Sequence, residues 1–203
     1  SSDVCSSDLE VRDNALLKLD TSYDLALEVS GQTKLDFSVR TNNLGLLSDL
    51  PVEISRSPDQ PEYRVLVFGD SLTGTVTANY QWVDTVEELL NGRPELKALA
   101  GHRRFRVYNL GMVAAGFLHF WDYYEKAGKQ LGGDLLLVNF TYDDFPRVGK
   151  SGHDAHTADE GQMIRHASEH AAKFLGQEVP VLFALMPLYQ DLYPAASPYR
   201  SEE

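Results

Sequence analysis

Residues 65–82 read VLVFGDSLTGTVTANYQW. The opening apolar run, with β-branched Val65 and Val67, suits a strand buried on both faces. The small polar residues after it, Gly69 through Thr75, mark a tight turn. A serine on such a turn, Ser71, presents its hydroxyl at the edge of the sheet, as an acyl-transfer nucleophile requires. The same hydroxyl-rich loop also reads as a cradle for a phosphate. Which reading holds depends on the rest of the chain.

Outward from this stretch, short apolar runs alternate with longer amphipathic ones. Strands are predicted at 64–68, 105–110, 134–140 and 179–185. Helices are predicted at 80–92, 116–133 and 158–177, each closing near a glycine or an Asn-Gly pair. This βαβ succession implies an α/β fold, a three-layer α/β/α sandwich with a mainly parallel sheet of the flavodoxin-like kind. Functional residues should then lie in the loops after each strand. Upstream, YDLALEV (23–29) and KLDFSVR (34–40) alternate about an SGQT turn and predict an N-terminal β-hairpin. The Asn-, Ser- and Pro-rich run 41–63 reads as a connector laid over a core. Residues 10–59 thus form an N-terminal extension to a domain spanning 60–203. The opening residues 1–9, SSDVCSSDL, read as an adapter translation foreign to the protein.

The chain has 203 residues and a formal net charge of −12. That charge repels phosphate backbones and anionic lipid, so neither nucleic acid nor a membrane surface is an expected partner. No apolar run is long enough to span a bilayer. The only cysteine is Cys5, which excludes an internal disulfide and a cysteine-based metal site. A small neutral or cationic ligand is the expected partner. Oligomeric state and cellular location are not legible.

GDSLT at Gly69–Thr73 is not the G-x-S-x-G elbow, because Thr73 replaces the second glycine. It resembles the GDS(L) motif of the SGNH (GDSL) hydrolases. VYNLGMVAAG (107–116) is similar to the second block of that family, and LLLVNFTYDDF (135–145) stands where its third block does. The resemblance covers roughly residues 36–190. It implies a serine esterase acting on a small acyl ester such as an acetyl ester, without metal or cofactor. Ser71 would be the nucleophile, and the backbone N–H groups of Ser71 and of Ala114 or Gly111 would form the oxyanion hole. Asp70 and Asn109 would support them. Two departures stand out. The family's oxyanion-donating asparagine falls on Asp143, whose ionised carboxylate would repel the developing charge unless burial or Asp70 and Asp144 kept it protonated. The family's Asp-x-x-His motif is absent, since none of the six histidines has an Asp three residues before it. The motif would lie beyond residue 203, and the chain as it stands is expected to be hydrolytically inactive.

Blander readings stand beside these. Ser71 would also serve as a helix cap. The departures fit a catalytically degenerate SGNH-fold module that binds carbohydrate or a partner. Ser71-Leu72-Thr73-Gly74-Thr75 is also similar to the FMN-phosphate loop of flavodoxins, although Val76 stands where the last threonine belongs. His153, Asp154, His156, Asp159 and Glu160 match no defined metal spacing and read as a polar loop. His166 and His170 read as surface residues. His119, Trp121, Tyr123 and Tyr124 read as core or rim packing. Arg103, Arg104 and Arg106 read as a solvated loop.

Overall fold

A computed structural model of the chain describes residues 22–29, 33–46, 48, 52–74, 82–112, 115–149 and 157–186, and for 22–40 the backbone alone. The hairpin expected near the N-terminus is present. Strand β1 (Ser22–Val29) pairs antiparallel with β2 (Thr33–Arg40) in a two-stranded sheet, Leu25 opposite Phe37.

The main sheet contains β3 (Glu62–Gly69), β4 (Arg104–Gly111), β5 (Leu135–Phe140) and β6 (Val181–Leu185), in the order β4-β3-β5-β6 and parallel throughout. This is the 2-1-3-4 order of a doubly wound sheet, with β3 at the centre. Two-residue periodicity splits its apolar run between two layers. Leu66 and Phe68 enter one core with Phe120, Tyr124, Leu136, Val138 and Phe174, while Val65 and Val67 enter a second with Val83, Ala100 and Val107. Helices therefore lie on both faces. On the second face are α2 (Trp82–Gly92) and α3 (Pro94–Leu99), the latter absent from the sequence reading. On the first, α4 (Phe117–Tyr123) runs through a π-helical turn at Tyr124–Gly128 into α5 (Lys129–Leu131), and packs on α6 (Glu160–Leu175). A four-residue helix, α1 (Ser71–Gly74), follows β3 directly.

The connector is built into the structure. Leu46 and Val52 belong to the larger core, and the Asn43 side chain exchanges two 2.8 Å hydrogen bonds with the backbone of Val52. Beneath it, Arg64 is 1% exposed and donates to the carbonyls of Glu53, Ile54, Ser55 and Leu131 and to the Glu62 carboxylate. A buried guanidinium is tolerated only when its donors are satisfied in this way.

Among the described residues β4 is an edge strand, whose outward N–H groups would template pairing with another chain. Helix α2 answers them with side chains. Asn91 accepts from the Phe105 N–H at 3.0 Å and donates to the Phe105 carbonyl at 2.9 Å, and Glu87 accepts from the Val107 N–H at 2.8 Å. Arg104 and Arg106 lie on β4 itself, against the expectation of a loop. Arg106 pairs with Glu87 at 2.9 Å, and Arg103, just before the strand, pairs with Asp134 at 3.4 Å. Their partners come from β3, α2 and the turn before β5, so sequence proximity alone did not reveal them.

Candidate functional site

In a doubly wound sheet, ligands bind outside the carboxyl ends of the strands at the switch point, where successive crossovers leave in opposite directions. Here that point lies between β3 and β5, because β3 leads out to β4 on one side and the chain returns to β5 on the other. The loops after these strands carry Ser71 and Asp143.

The first loop turns sharply because β3 ends on Gly69 and α1 begins two residues later. The Asp70 carbonyl accepts from the N–H groups of Thr73 (3.1 Å) and Gly74 (2.8 Å), and its side chain accepts from Leu72 N–H at 2.9 Å. Asp70 thus does the capping that was a competing explanation for Ser71. Ser71 is half-buried at the start of α1. Among the described residues, neither its hydroxyl nor its N–H has a hydrogen-bond partner. An unengaged N–H is what the first turn of a helix offers.

The rest of the turn is held from beneath. Thr73 is fully buried and accepts from Asn139 on β5 at 3.0 Å, while Asn109 on β4 donates to the Thr73 carbonyl at 3.0 Å. Asn109 therefore supports the turn through Thr73. Its side-chain oxygen also accepts the Gly111 N–H at 2.9 Å, so Gly111 does not aim that N–H at a substrate oxygen. Gly111 packs so closely on α1 that a Cβ there would meet the Gly74 backbone nitrogen, and only glycine allows this approach. Ala114 lies outside the described residues.

After β5 the chain makes a 3₁₀ turn, Tyr142–Asp144. Asp143 is exposed, and its charge adds to the repulsion felt by Asp70 and Asp144. Asp144 points the other way and is 0% exposed. Its Oδ2 accepts from Thr141 N–H at 2.8 Å and its Oδ1 from Arg147 at 2.6 Å. Arg147 also stands 3.7 Å from the buried Asp70 carboxylate. Burial first, and Asp70 second, push the Asp144 carboxyl up to about 8, against the opposing pull of the Thr141 N–H and Arg147. Burial likewise raises Asp70, with Arg147 and the Leu72 N–H opposing it. Two buried carboxyls thus face one guanidinium, and burial raises both.

Sequence reading missed Arg147 and named Asp144 only as a neighbour of Asp143. The available signal was an arginine three residues after a doubled aspartate at a strand end. The two contact each other directly, but the link to Asp70 exists only in three dimensions.

The remaining candidates fall elsewhere. Asp159 caps α6 by accepting the Gln162 N–H at 2.9 Å, and Glu160 is the first residue of that helix. His153, Asp154, His156 and Cys5 lie outside the described residues. His170 is buried and His166 half-buried, their rings 4.5 Å apart beneath α4, so they are not surface residues as expected. Packing on α4 covers them, and burial lowers His166, with His170 adding to the effect. His119 is buried with its Nδ1 accepting the Gly116 N–H at 3.1 Å; Tyr123 and Tyr124 are buried beside it. No histidine is hydrogen-bonded to Ser71 among the described residues. No helix among them is long and apolar enough to cross a membrane.

No protein-family model and no curated protein matches the chain. Among solved structures, one described as "a putative acylhydrolase" from Bacteroides fragilis is 15% identical, over 61% of this chain and 50% of that one, with a TM-score of 0.36. Another, a GDSL-like lipase from Bacteroides thetaiotaomicron, is also 15% identical, over 59% and 47%, with a TM-score of 0.36. The chain spans about half the length of each. The reading that follows rests on this chain's own sheet order and loop contacts.

Proposed function

We propose that the chain carries the nucleophile-bearing part of a serine acyl hydrolase of the SGNH type, acting on a small acyl ester. One observation carries the reading: Ser71 stands at the switch point with its hydroxyl and N–H both unengaged among the described residues, while the neighbouring Asp70 does the structural work of the turn. A serine needed only for capping would have its oxygen on a backbone N–H.

In the reaction, Ser71 Oγ attacks the ester carbonyl carbon and its proton passes to a general base. The base this route needs is a histidine, and no histidine among the described residues is hydrogen-bonded to Ser71. The tetrahedral oxygen takes the Ser71 N–H as its first donor, and a second comes from the loop after β4, where Ala114 is the candidate. The alcohol leaves with the proton held by the base, and water then attacks the acyl-enzyme to release the acid. Each well-placed donor is worth about 2.7–4 kcal/mol in the transition state.

A second reading is favoured by Asp143. An exposed carboxylate where the family pattern has a neutral donor fits a module that has kept the fold and lost the hydrolysis. A fluorophosphonate probe on the full-length protein separates the two. Labelling that disappears in Ser71→Ala is the expected result, and its absence in the wild type would leave the binding module as the better account. The flavin reading is weakened by Thr73, whose hydroxyl is spent on Asn139 inside the fold and is unavailable to a phosphate.

A further inference from the structure

One side chain joins three loops at the switch point. Arg147 Nη1 donates to Asp144 Oδ1 at 2.6 Å and to the Ala115 carbonyl at 2.7 Å, and lies 3.7 Å from Asp70 Oδ2. Asp70 follows β3 and immediately precedes Ser71, Ala115 follows β4, and Asp144 follows β5. Behind this contact the backbones themselves meet. A Cβ on Gly116 would stand 2.8 Å from the Asp144 carbonyl oxygen and 2.9 Å from that of Arg147.

Both carboxylates are anchored on their far sides. Asp70 Oδ1 accepts the Leu72 N–H and Asp144 Oδ2 accepts the Thr141 N–H. A continuous path therefore runs from the helix that opens with Ser71, through Asp70, Arg147 and Asp144, to the end of β5, with a branch to the loop after β4.

We propose that Arg147 is the positioning residue of the site, its guanidinium setting the distance between the Ser71 turn and the loop after β4 that offers the second oxyanion donor. The catalytic consequence rests on the acyl-hydrolase reading; the tie between the loops does not. The residue type fits the task. The guanidinium brings one nitrogen, Nη1, to a carboxyl and a carbonyl with a second carboxyl at 3.7 Å, and its rigid plane fixes the directions of those N–H bonds, whereas a lysine would supply the charge without them. Only Ser71 and the backbone donors would touch substrate, so Arg147 acts through them. Misplacement of such groups by about 1 Å is enough to slow a reaction roughly 100-fold.

The test uses Arg147→Lys and Arg147→Gln in the full-length protein, with three readouts: melting temperature, amide hydrogen exchange, and the rate of fluorophosphonate labelling at Ser71. Arg147→Lys should melt close to the wild type yet label about ten times more slowly, and Arg147→Gln about 100 times more slowly. In both, exchange should rise in 70–74 and 112–116 and stay unchanged in α2. Labelling of Arg147→Lys at the wild-type rate would overturn the positioning role, as would unchanged exchange in both loops. If Arg147→Gln does not fold, Arg147→Lys decides alone. If the wild type itself never labels, the acyl-hydrolase reading falls, and the exchange data still decide whether Arg147 ties the loops.

Discussion

The sheet has a buried ionic cluster at each end, and the two are built on opposite arithmetic. At the amino ends of β3 and β4, Arg64 and Arg106 meet Glu62 and Glu87, at 2.7 Å for Arg64–Glu62, 3.7 Å for Arg106–Glu62 and 2.9 Å for Arg106–Glu87. Charge balances there, and the donors left over go to backbone carbonyls. The Tyr108 ring lies beside both guanidiniums, at 5.8 and 5.9 Å. At the carboxyl ends, Asp70 and Asp144 share a single arginine, and both carboxyls are pushed upward. The balanced cluster behaves as a staple, because both guanidiniums and both carboxylates have charged partners. The unbalanced one stores repulsion next to Ser71, and such departures from local consistency concentrate at functional sites.

The contrast is broken most directly at Arg64. Replacing it with methionine leaves Glu62 and four carbonyls without their donor, and should cost about 3–5 kcal/mol of stability by urea denaturation. A cost under about 1 kcal/mol would mean the lower cluster is no staple.

The upper cluster is sharpened through pH. Asp144 titrates near 8 in the folded chain and near 3.8 when unfolded, so the folded state holds a proton that the unfolded state releases. Its contribution to stability is full below about pH 4 and is lost as pH rises to about 8. Urea midpoints of the wild type should fall across that window. Asp144→Asn cannot titrate, so its curve should be flatter by at least about 1 kcal/mol. The variant should also be less stable at its best pH, since an amide nitrogen beside the Thr141 N–H or Arg147 replaces an acceptor. Equal slopes in the two proteins would show that Asp144 takes up no proton on folding.

Smaller effects follow. Asn91→Ala uncovers the edge of β4 and should cost about 1–2 kcal/mol, with faster amide exchange at Phe105. Ser71→Ala should change stability by no more than about 0.5 kcal/mol, because Asp70 does the capping. A loss of more than about 1 kcal/mol would return Ser71 to a structural role.

Some of this was legible along the chain and some was not. The strands near 64–68, 105–110 and 134–140 were visible because a strand buried on both faces is rich in apolar residues, a local signal that survives in one dimension. The π turn at Tyr124–Gly128 and the short α3 were not, since neither carries a period distinct from its surroundings. His166 and His170 were misjudged as surface residues because their spacing gives a shared helix face but not what packs on it. Gly111 was a reasonable candidate donor by position. Only the fold brings the Asn109 side chain to its N–H.

Periodicity and turn chemistry, read from the amino acids alone, determined the parallel α/β sheet and the tight turn after β3 that carries Ser71. Tertiary structure decided that Asp70 and Asp144, 74 positions apart, come to share Arg147. The physical reason is range. Local pattern reflects forces between residues a few positions apart, whereas burial, the pairing of charges and the joining of loops depend on which strand ends the sheet sets side by side.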